Sequence, residues 1–412
     1  MNIIFLTALI KLRIVCRDAW KSGGGPPLSK TLRAAQKLLK GAQRLGLRRP
    51  PGASRGATFL REAGRVHAKL NWYNYHVLPV LLLTGLLTGR VIAAPQTIKP
   101  GEIWPDDRGQ HIQAHGGGIL KFGDTYYWFG EDRGQTNARG LRCVSCYSST
   151  NLAQWTFRNQ VLKARNLEDF GRGWVLERPK VFYNAKTKKF VMYMHIDGPV
   201  PGQQGAYHLA RVGVAVCDTV DGDYQYLKSF RPLGRESRDI GQFVDDDGTA
   251  YLIFEDRPFG FRIAKLSEDY LNVEKEICLI SEHMEGGAIV HYGNLYYAIG
   301  SALTGWSPNP NKFATATNLA GPWSEFKDIA PPESKTYGSQ STLMLKVVGD
   351  KTTTVIFMGD IWKPDSQWDS RYLWMPLQIG DGKLRLPEPR EWTLDLKTGE
   401  AIITTNSIPA KN

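Results

Sequence analysis

Residues 284–290 read Met-Glu-Gly-Gly-Ala-Ile-Val, MEGGAIV. A carboxylate stands before two glycines and a short apolar run, where a buried strand would begin. Four other stretches keep the same register: AHGGGIL (114–120), LERPKVF (176–182), RDIGQFV (238–244) and SQSTLML (339–345). Each places one polar residue four positions before a large apolar one. These markers are His115, Glu177, Asp239, Glu285 and Gln340, spaced 62, 62, 46 and 55 residues apart.

After each stretch come a turn and a second, aromatic-rich strand signal: TYYWFGE (125–131), KFVMYMH (189–195), AYLIFED (250–256), LYYAIGS (295–301) and TTVIFMG (353–359). Third strands follow in RCVSCYS, VGVAVCD, FRIAKLS, KFATATN and YLWMPLQI. A short outer strand completes most units, marked by Trp155, Tyr224, Trp323 or Trp392. Turns such as FGD, DDDG, YGN and GDG separate the strands, and helix periodicity is nearly absent. Five copies of a four-stranded antiparallel unit predict an all-β chain folded as a five-bladed β-propeller. A blade cannot bury both faces alone, and its neighbours in the ring cover them. The competing fold, a two-sheet sandwich, has no use for the same polar marker in every unit. In a propeller the first strand of each blade lines the axis, so the five markers are expected to converge at one end of it.

The 412 residues carry a net charge of +12, but the charge is unevenly placed. Residues 1–94 hold 16 Lys and Arg against Asp18 and Glu62; the remainder holds 36 basic and 38 acidic residues. The body therefore lacks the positive balance that phosphate backbones attract, and a nucleic-acid partner is not expected. Residues 1–75 read as a basic leader, or as the product of a start codon placed too far upstream. Residues 76–94 read as a signal peptide or signal-anchor, because about a dozen apolar residues suit a signal core better than a span of about 20. The catalytic propeller is expected over 95–412. Both readings of 76–94 direct the body to the secretory pathway, either released or held as a type II membrane protein. A membrane contact is expected only if that segment stays uncleaved. The protein is expected to be a monomer.

Cys143 and Cys146 form a CxxC on an apparent strand, where residues three apart face opposite ways. Buried thiols are expected there rather than a zinc knuckle or a local disulfide. No HExxH or EF-hand loop occurs, and DDDG (245–248) reads as a hairpin turn, so neither metal nor other cofactor is expected.

A ring of carboxylates around a sugar-sized hollow suits glycoside hydrolysis. One carboxyl protonates the leaving oxygen while another group activates water or attacks the anomeric carbon. Burial and neighbouring carboxylates supply the raised pKa that the acid needs. Glu285 is the candidate acid, with Gly286 and Gly287 expected to leave room for substrate beside it. Glu177 suits an orienting role. Asp239 is a candidate for binding sugar hydroxyls or tuning the acid.

The stretches AHGGGIL…YYWFGE, LERPKV, SRDIGQFVDDDG, MEGGAIV, LTGWSPNP and YGSQSTL resemble glycoside hydrolase family 43, in particular its exo-β-1,3-galactanase branch, over about residues 105–385. The resemblance implies a five-bladed propeller and an inverting hydrolase that releases galactose from β-1,3-galactan, the backbone of arabinogalactan-protein glycans. Most of the wider family carries an Asp base on the first inner strand, where this chain has Ala114-His115-Gly116. The galactanase branch shares that departure and a Gln on the last blade. The resemblance implies that Glu285 is the general acid and that Gln340 holds the attacking water, or activates it in an imidic-acid form. It also implies that Glu177 orients the sugar and Gln340. His115 and Glu131 are alternatives for positioning water.

Trp306, in the loop TGWSPNP, could stack on a galactose face, and Glu131 ends its strand near the rim. Tyr207 and Arg371 are further rim candidates. Tyr126, Tyr127 and Trp128 are expected to be core. Two other readings stay open: a sugar-binding propeller without catalysis, and a family 43 hydrolase acting on arabinan or xylan.

Overall fold

The computed structural model describes residues 96–134, 142–163 and 173–404. The leader and the 76–94 segment lie outside the described residues. Contacts divide the chain into Met1–Ile92 and Ala93–Asn412, and the account below concerns the second unit.

This unit is all-β, as expected. Five antiparallel sheets follow one another along the chain. The first runs through His115–Phe122, Thr125–Glu131, Cys143–Ser149 and Thr156–Lys163. The second holds Val175–Asn184, Lys189–Asp197, Arg211–Cys217 and Gln225–Phe230. The third holds Ile240–Val244, Ala250–Asp256, Gly260–Leu266 and Val273–Ile280. The fourth holds Met284–Tyr292, Leu295–Ala302, Lys312–Ala316 and Lys327–Asp328. The fifth has three strands, Gln340–Val348, Thr353–Ile361 and Arg371–Pro376. The first strands of the five sheets pack in circular order, each on the next and the fifth back on the first.

The sheets cover one another face to face. Phe129, Val144 and Val161 of the first meet Leu176, Val181 and Met192 of the second. Phe182 and Tyr193 of the second meet Leu252 and Phe254 of the third. Ile253, Phe261 and Ile263 of the third meet Met284, Ile289 and Ala298 of the fourth. This two-sided burial explains why Lys189–Asp197 is apolar along most of its length rather than alternating.

Four of the five inner strands bulge just past the marker, between His115 and Gly118, Glu177 and Lys180, Glu285 and Ala288, and Ser341 and Leu343. A bulge re-aims the side chain beside it. The residue after the marker takes a left-handed backbone in three of them: Gly116 (φ 55°), Arg178 (φ 53°) and Gly286 (φ 63°). This is the physical reason for the paired glycines. Gly286 supplies the positive φ. Gly287 lets its strand approach the third sheet, because a Cβ there would lie 1.8 Å from the Phe261 ring. Neither glycine lines the cavity described below, so the expectation that they make room for substrate is corrected: they shape the backbone that carries Glu285.

The fifth unit also departs from expectation. Its outer strand was expected around Trp392. Instead Trp392–Leu394 pairs with Thr97–Ile98 on one side and Ala401–Ile403 on the other. Pro387 and Pro389 precede it, and prolines cannot donate to a ladder. The Trp392 indole N–H reaches the Trp374 carbonyl at 2.8 Å, so this small sheet clasps the beginning of the unit to its end. The Tyr372 hydroxyl adds to the clasp, donating to the Ile112 carbonyl at 2.8 Å and accepting from the Ala114 N–H at 2.9 Å.

Cys143 and Cys146 are buried and form no disulfide; Cys217 and Cys278 are half-buried. Tyr126 and Trp128 are core residues. Asp245–Gly248 is a hairpin turn, closed by the Gly248 N–H donating to Asp245 O at 2.9 Å.

Candidate active site

The marked ends of four of the five inner strands open into one cavity of about 240 Å³. That is below the ~300–1,000 Å³ of pockets for drug-sized ligands and gives room on the scale of a single sugar ring. Glu177, Asp239, Glu285 and Gln340 line it, together with Glu131, Tyr207 and Trp306.

Glu285 is mostly buried, and its carboxyl is pushed up to about 8 by burial and then by the nearby Asp239 and Glu255. Its Oε1 accepts from Gln340 Nε2 at 2.9 Å, and Arg257 stands 3.4 Å from its Oε2. A carboxyl protonated at neutral pH, with one oxygen facing a sugar-sized hollow, can serve as a general acid.

Glu177 is the opposite case. Burial works against its ionised form, but His195, Arg133 and Tyr207 outweigh it and hold the carboxyl far below the usual carboxylate range. The Tyr207 hydroxyl donates to Oε1 at 2.7 Å and Arg133 at 3.2 Å, while His195 Nδ1 lies 3.2 Å from Oε2. His195 Nε2 lies 3.3 Å from Asp197. Although burial disfavours its charge, these two carboxylates push the imidazole up to about 9. Both shifts favour the charged forms, an imidazolium at His195 and a carboxylate at Glu177.

Arg178 ties the sheets together. Its guanidinium reaches Gln340 Oε1 at 2.5 Å, Asp239 Oδ2 at 2.8 Å and the Ser341 carbonyl at 3.1 Å. Its backbone N–H donates to Glu131 Oε1 at 2.9 Å. Glu131 also pairs with Arg133 through its other oxygen. Among the described residues the Gln340 amide bonds to Arg178, Trp362, Glu285 and Ser301 rather than to Glu177.

His115 and Arg371 do not line the cavity. His115 is fully buried, stacked on Tyr372 with ring centroids 4.8 Å apart, and its Nδ1 is 3.1 Å from Asp360. The fifth sheet captures the ring before it can reach the hollow. Arg371 is held by Asp369 at 2.5 Å, in a surface turn that Lys363 shares.

Glu177, His195 and Asp239 are close enough together to suggest a cation site. Of the three, Asp239 Oδ2 is already engaged by Arg178 and by the Gly286 N–H.

Sequence reasoning missed Arg133, Arg178, His195, Glu255, Arg257 and Trp362, which also line the cavity. Part of the signal was present. The residue facing each marker across the first hairpin is polar: Glu131 opposite His115, His195 opposite Glu177, Ser301 opposite Glu285, Asp360 opposite Gln340. Glu255 follows the same rule, its N–H donating to Asp239 O at 2.9 Å. Three of the second strands quoted above end in these residues, the third runs one past Glu255, and the fifth stops one short of Asp360. The arginines carried no such register.

Residues 115–356 match the family model described as Glycosyl hydrolases family 43. The structure is similar to that of an exo-β-1,3-galactanase from Phanerochaete chrysosporium with galactose, at 38% identity and a TM-score of 0.70, covering 76% of this chain and 71% of that one. An exo-β-1,3-galactanase from Clostridium thermocellum matches at 35% identity and a TM-score of 0.68, over 75% of this chain and 68% of that one. A putative exo-β-1,3-galactanase from Bifidobacterium bifidum matches at 35% identity and 0.65, over 71% and 97%. A search of curated proteins finds no match.

Proposed function

Since the chain belongs to glycosyl hydrolase family 43, we propose that it is an exo-acting β-1,3-galactanase that releases galactose from β-1,3-galactan. The observation that carries this reading is Glu285, a carboxyl pushed up to about 8 inside a hollow for one sugar. The likeness at 38% identity to an exo-β-1,3-galactanase supplies the sugar and linkage. The five sheets packed in circular order support a five-bladed propeller, with the small clasp sheet outside the blades.

The charges in the cavity support an uncharged substrate. Its arginines face carboxylates: Arg133 with Glu131 and Glu177, Arg178 with Asp239, Arg238 with Asp197, and Arg257 with Glu255. Among the described residues lining it, no cation is left over to select an acidic sugar. Such paired groups offer fixed donors and acceptors to hydroxyls instead.

Glu285 protonates the departing glycosidic oxygen as water attacks the anomeric carbon. Glu177, held ionised and oriented by Tyr207, Arg133 and His195, accepts hydrogen bonds from the sugar in the innermost position. Inversion is the stereochemistry that the family resemblance implies. Trp306, 40% exposed and set edge-on to Trp362 at 5.3 Å, offers a face to the sugar at the mouth.

A poised acid has no purpose in a protein that only binds glycans, which weighs against that alternative. The test is galactose release from β-1,3-galactan, with arabinan and xylan alongside. The expected result is galactose from galactan alone, reduced about 10²–10⁴-fold in Glu285→Gln, the usual contribution of a general acid. Wild-type protein that binds galactan and releases nothing would overturn the reading.

A further inference from the structure

Asp197 ends the second strand of the second sheet, is fully buried and does not line the cavity. Its Oδ1 accepts the Gly198 N–H at 3.1 Å and the Leu209 N–H at 2.6 Å. Its Oδ2 accepts the Ala210 N–H at 3.2 Å and Arg238 Nη1 at 3.1 Å, and lies 3.3 Å from His195 Nε2. Gly198 begins, and Leu209 and Ala210 end, the segment that joins Lys189–Asp197 to Arg211–Cys217. One carboxylate therefore fastens both ends of this loop. Ala210 keeps a left-handed backbone there, φ 47°, with its carbonyl accepting the Ser237 N–H at 3.0 Å. Such strain persists where the surrounding structure over-determines it.

Two routes lead from Asp197 to Glu177. The first runs through the His195 ring, which stands between Asp197 Oδ2 at 3.3 Å and Glu177 Oε2 at 3.2 Å. A carboxylate only accepts, so both contacts are hydrogen bonds only when both ring nitrogens carry hydrogen. The second route runs through the loop. Tyr207 donates its hydroxyl to Glu177 Oε1 at 2.7 Å, and its carbonyl lies 3.4 Å from Arg238 Nη1, the nitrogen that also reaches Asp197. Each oxygen of Glu177 is thus held by an element that Asp197 holds. Arg133 is a further cation at Oε1, at 3.2 Å, and Glu131 shares it.

We propose that Asp197 is a positioning residue for the hydrolysis: it locks loop 198–210 and the His195 ring together, so that Glu177 presents one fixed orientation to the sugar. This rests on the hydrolase reading above. A carboxylate that only stapled a loop would leave Tyr207 and His195 to act on Glu177 independently of it. A carboxylate shared by both routes makes their effects depend on Asp197.

A double-mutant cycle in the full protein tests that dependence, assayed well below the unfolding temperature of each variant. Asp197→Asn keeps the size of the side chain and sets an amide NH₂ among donors. It is expected to lower kcat/KM about 10²-fold, as a misoriented binding group does. Tyr207→Phe, at about tenfold by itself, is expected to cost less than about twofold in the Asp197→Asn background, because the loop that carries it is already released. The full tenfold in both backgrounds would overturn the proposal. His195→Gln guards against misfolding of Asp197→Asn. It cuts the first route and leaves the loop fastened, so Tyr207→Phe should still cost tenfold or more there. Loss of the Tyr207 effect in that background would place the coupling at His195 and not at Asp197.

Nuclear magnetic resonance of the full protein, labelled with ¹⁵N in its histidine rings, reads the first route directly. The His195 signals are identified by their loss in His195→Gln. Hydrogen on both ring nitrogens at pH 7 is expected, and hydrogen on one alone would break the bridge between the two carboxylates and overturn the proposal. This readout does not depend on turnover, so an inactive wild type would sink the hydrolase reading and leave the bridge decided.

Discussion

The Gly286 N–H donates to Asp239 Oδ2 at 2.9 Å. The backbone turn that aims the acid is thereby tied to the carboxylate that helps raise its pKa. A Cβ at position 286 would lie 2.5 Å from the Ser341 carbonyl, on a backbone with φ of 63°. Gly286→Ala is expected to displace Glu285 and reduce kcat by about 10²-fold, the usual cost of a misplaced catalytic group. A crystal structure beside the kinetics would check that the loss follows the moved carboxyl.

The pH dependence follows from the same carboxyl. Glu285 works protonated, so kcat/KM should fall as pH rises through about 8. The Asp239 charge disfavours ionisation of Glu285. Asp239→Asn should therefore move that limb to lower pH, by about one unit. An unmoved limb would mean that Asp239 does not tune the acid.

Tyr207 stands near the rim, yet its hydroxyl donates to Glu177 at 2.7 Å. Tyr207→Phe should reduce kcat/KM roughly tenfold, in keeping with a hydrogen bond to a charged group. Thermal stability should hardly change, because the side chain is half-exposed.

Lys180 lies fully buried between the first, second and fifth sheets. Its ammonium donates to the Gly116 and Gly117 carbonyls at 2.6 and 2.9 Å and lies 3.3 Å from Thr342 Oγ1. Burial and then Arg178 pull its pKa down to about 7. Lys180→Met would orphan both carbonyls and should cost about 2–5 kcal/mol in urea unfolding. A neutral result would show that the desolvation of the ammonium offsets its bonds.

Trp392 anchors the clasp and is fully buried. Trp392→Ala should cost about 3–5 kcal/mol. Loss of activity should track unfolding on heating rather than appear at low temperature, because the clasp lies away from the cavity.

Much of the cavity was readable because its register is local. Glu177, Asp239, Glu285 and Gln340 each stand at a strand start with a fixed offset to an apolar residue, and the ring brings those starts together. The same logic misled at His115, where the register is right but Tyr372 and Asp360 of the fifth sheet capture the imidazole. It misled again at Trp392, whose aromatic pattern matched an outer strand but which pairs instead with Thr97–Ile98 and Ala401–Ile403. The glycines after Glu285 were legible as special and misread in purpose, since φ and the nearness of Phe261 appear only in three dimensions.

The all-β architecture, the repeat and the polar marker at each inner strand follow from the order of residues alone, because strand alternation and turn chemistry act over a few neighbours. The tertiary structure alone decided which cations face which carboxylates. Arg178 and Gln340 are 162 positions apart in the chain, and their 2.5 Å contact exists only because the second and fifth sheets share one cavity. The charge on His195, the raised acid of Glu285 and the amide held at Gln340 all depend on such long side chains meeting across sheets, where burial strengthens every charge that finds a partner.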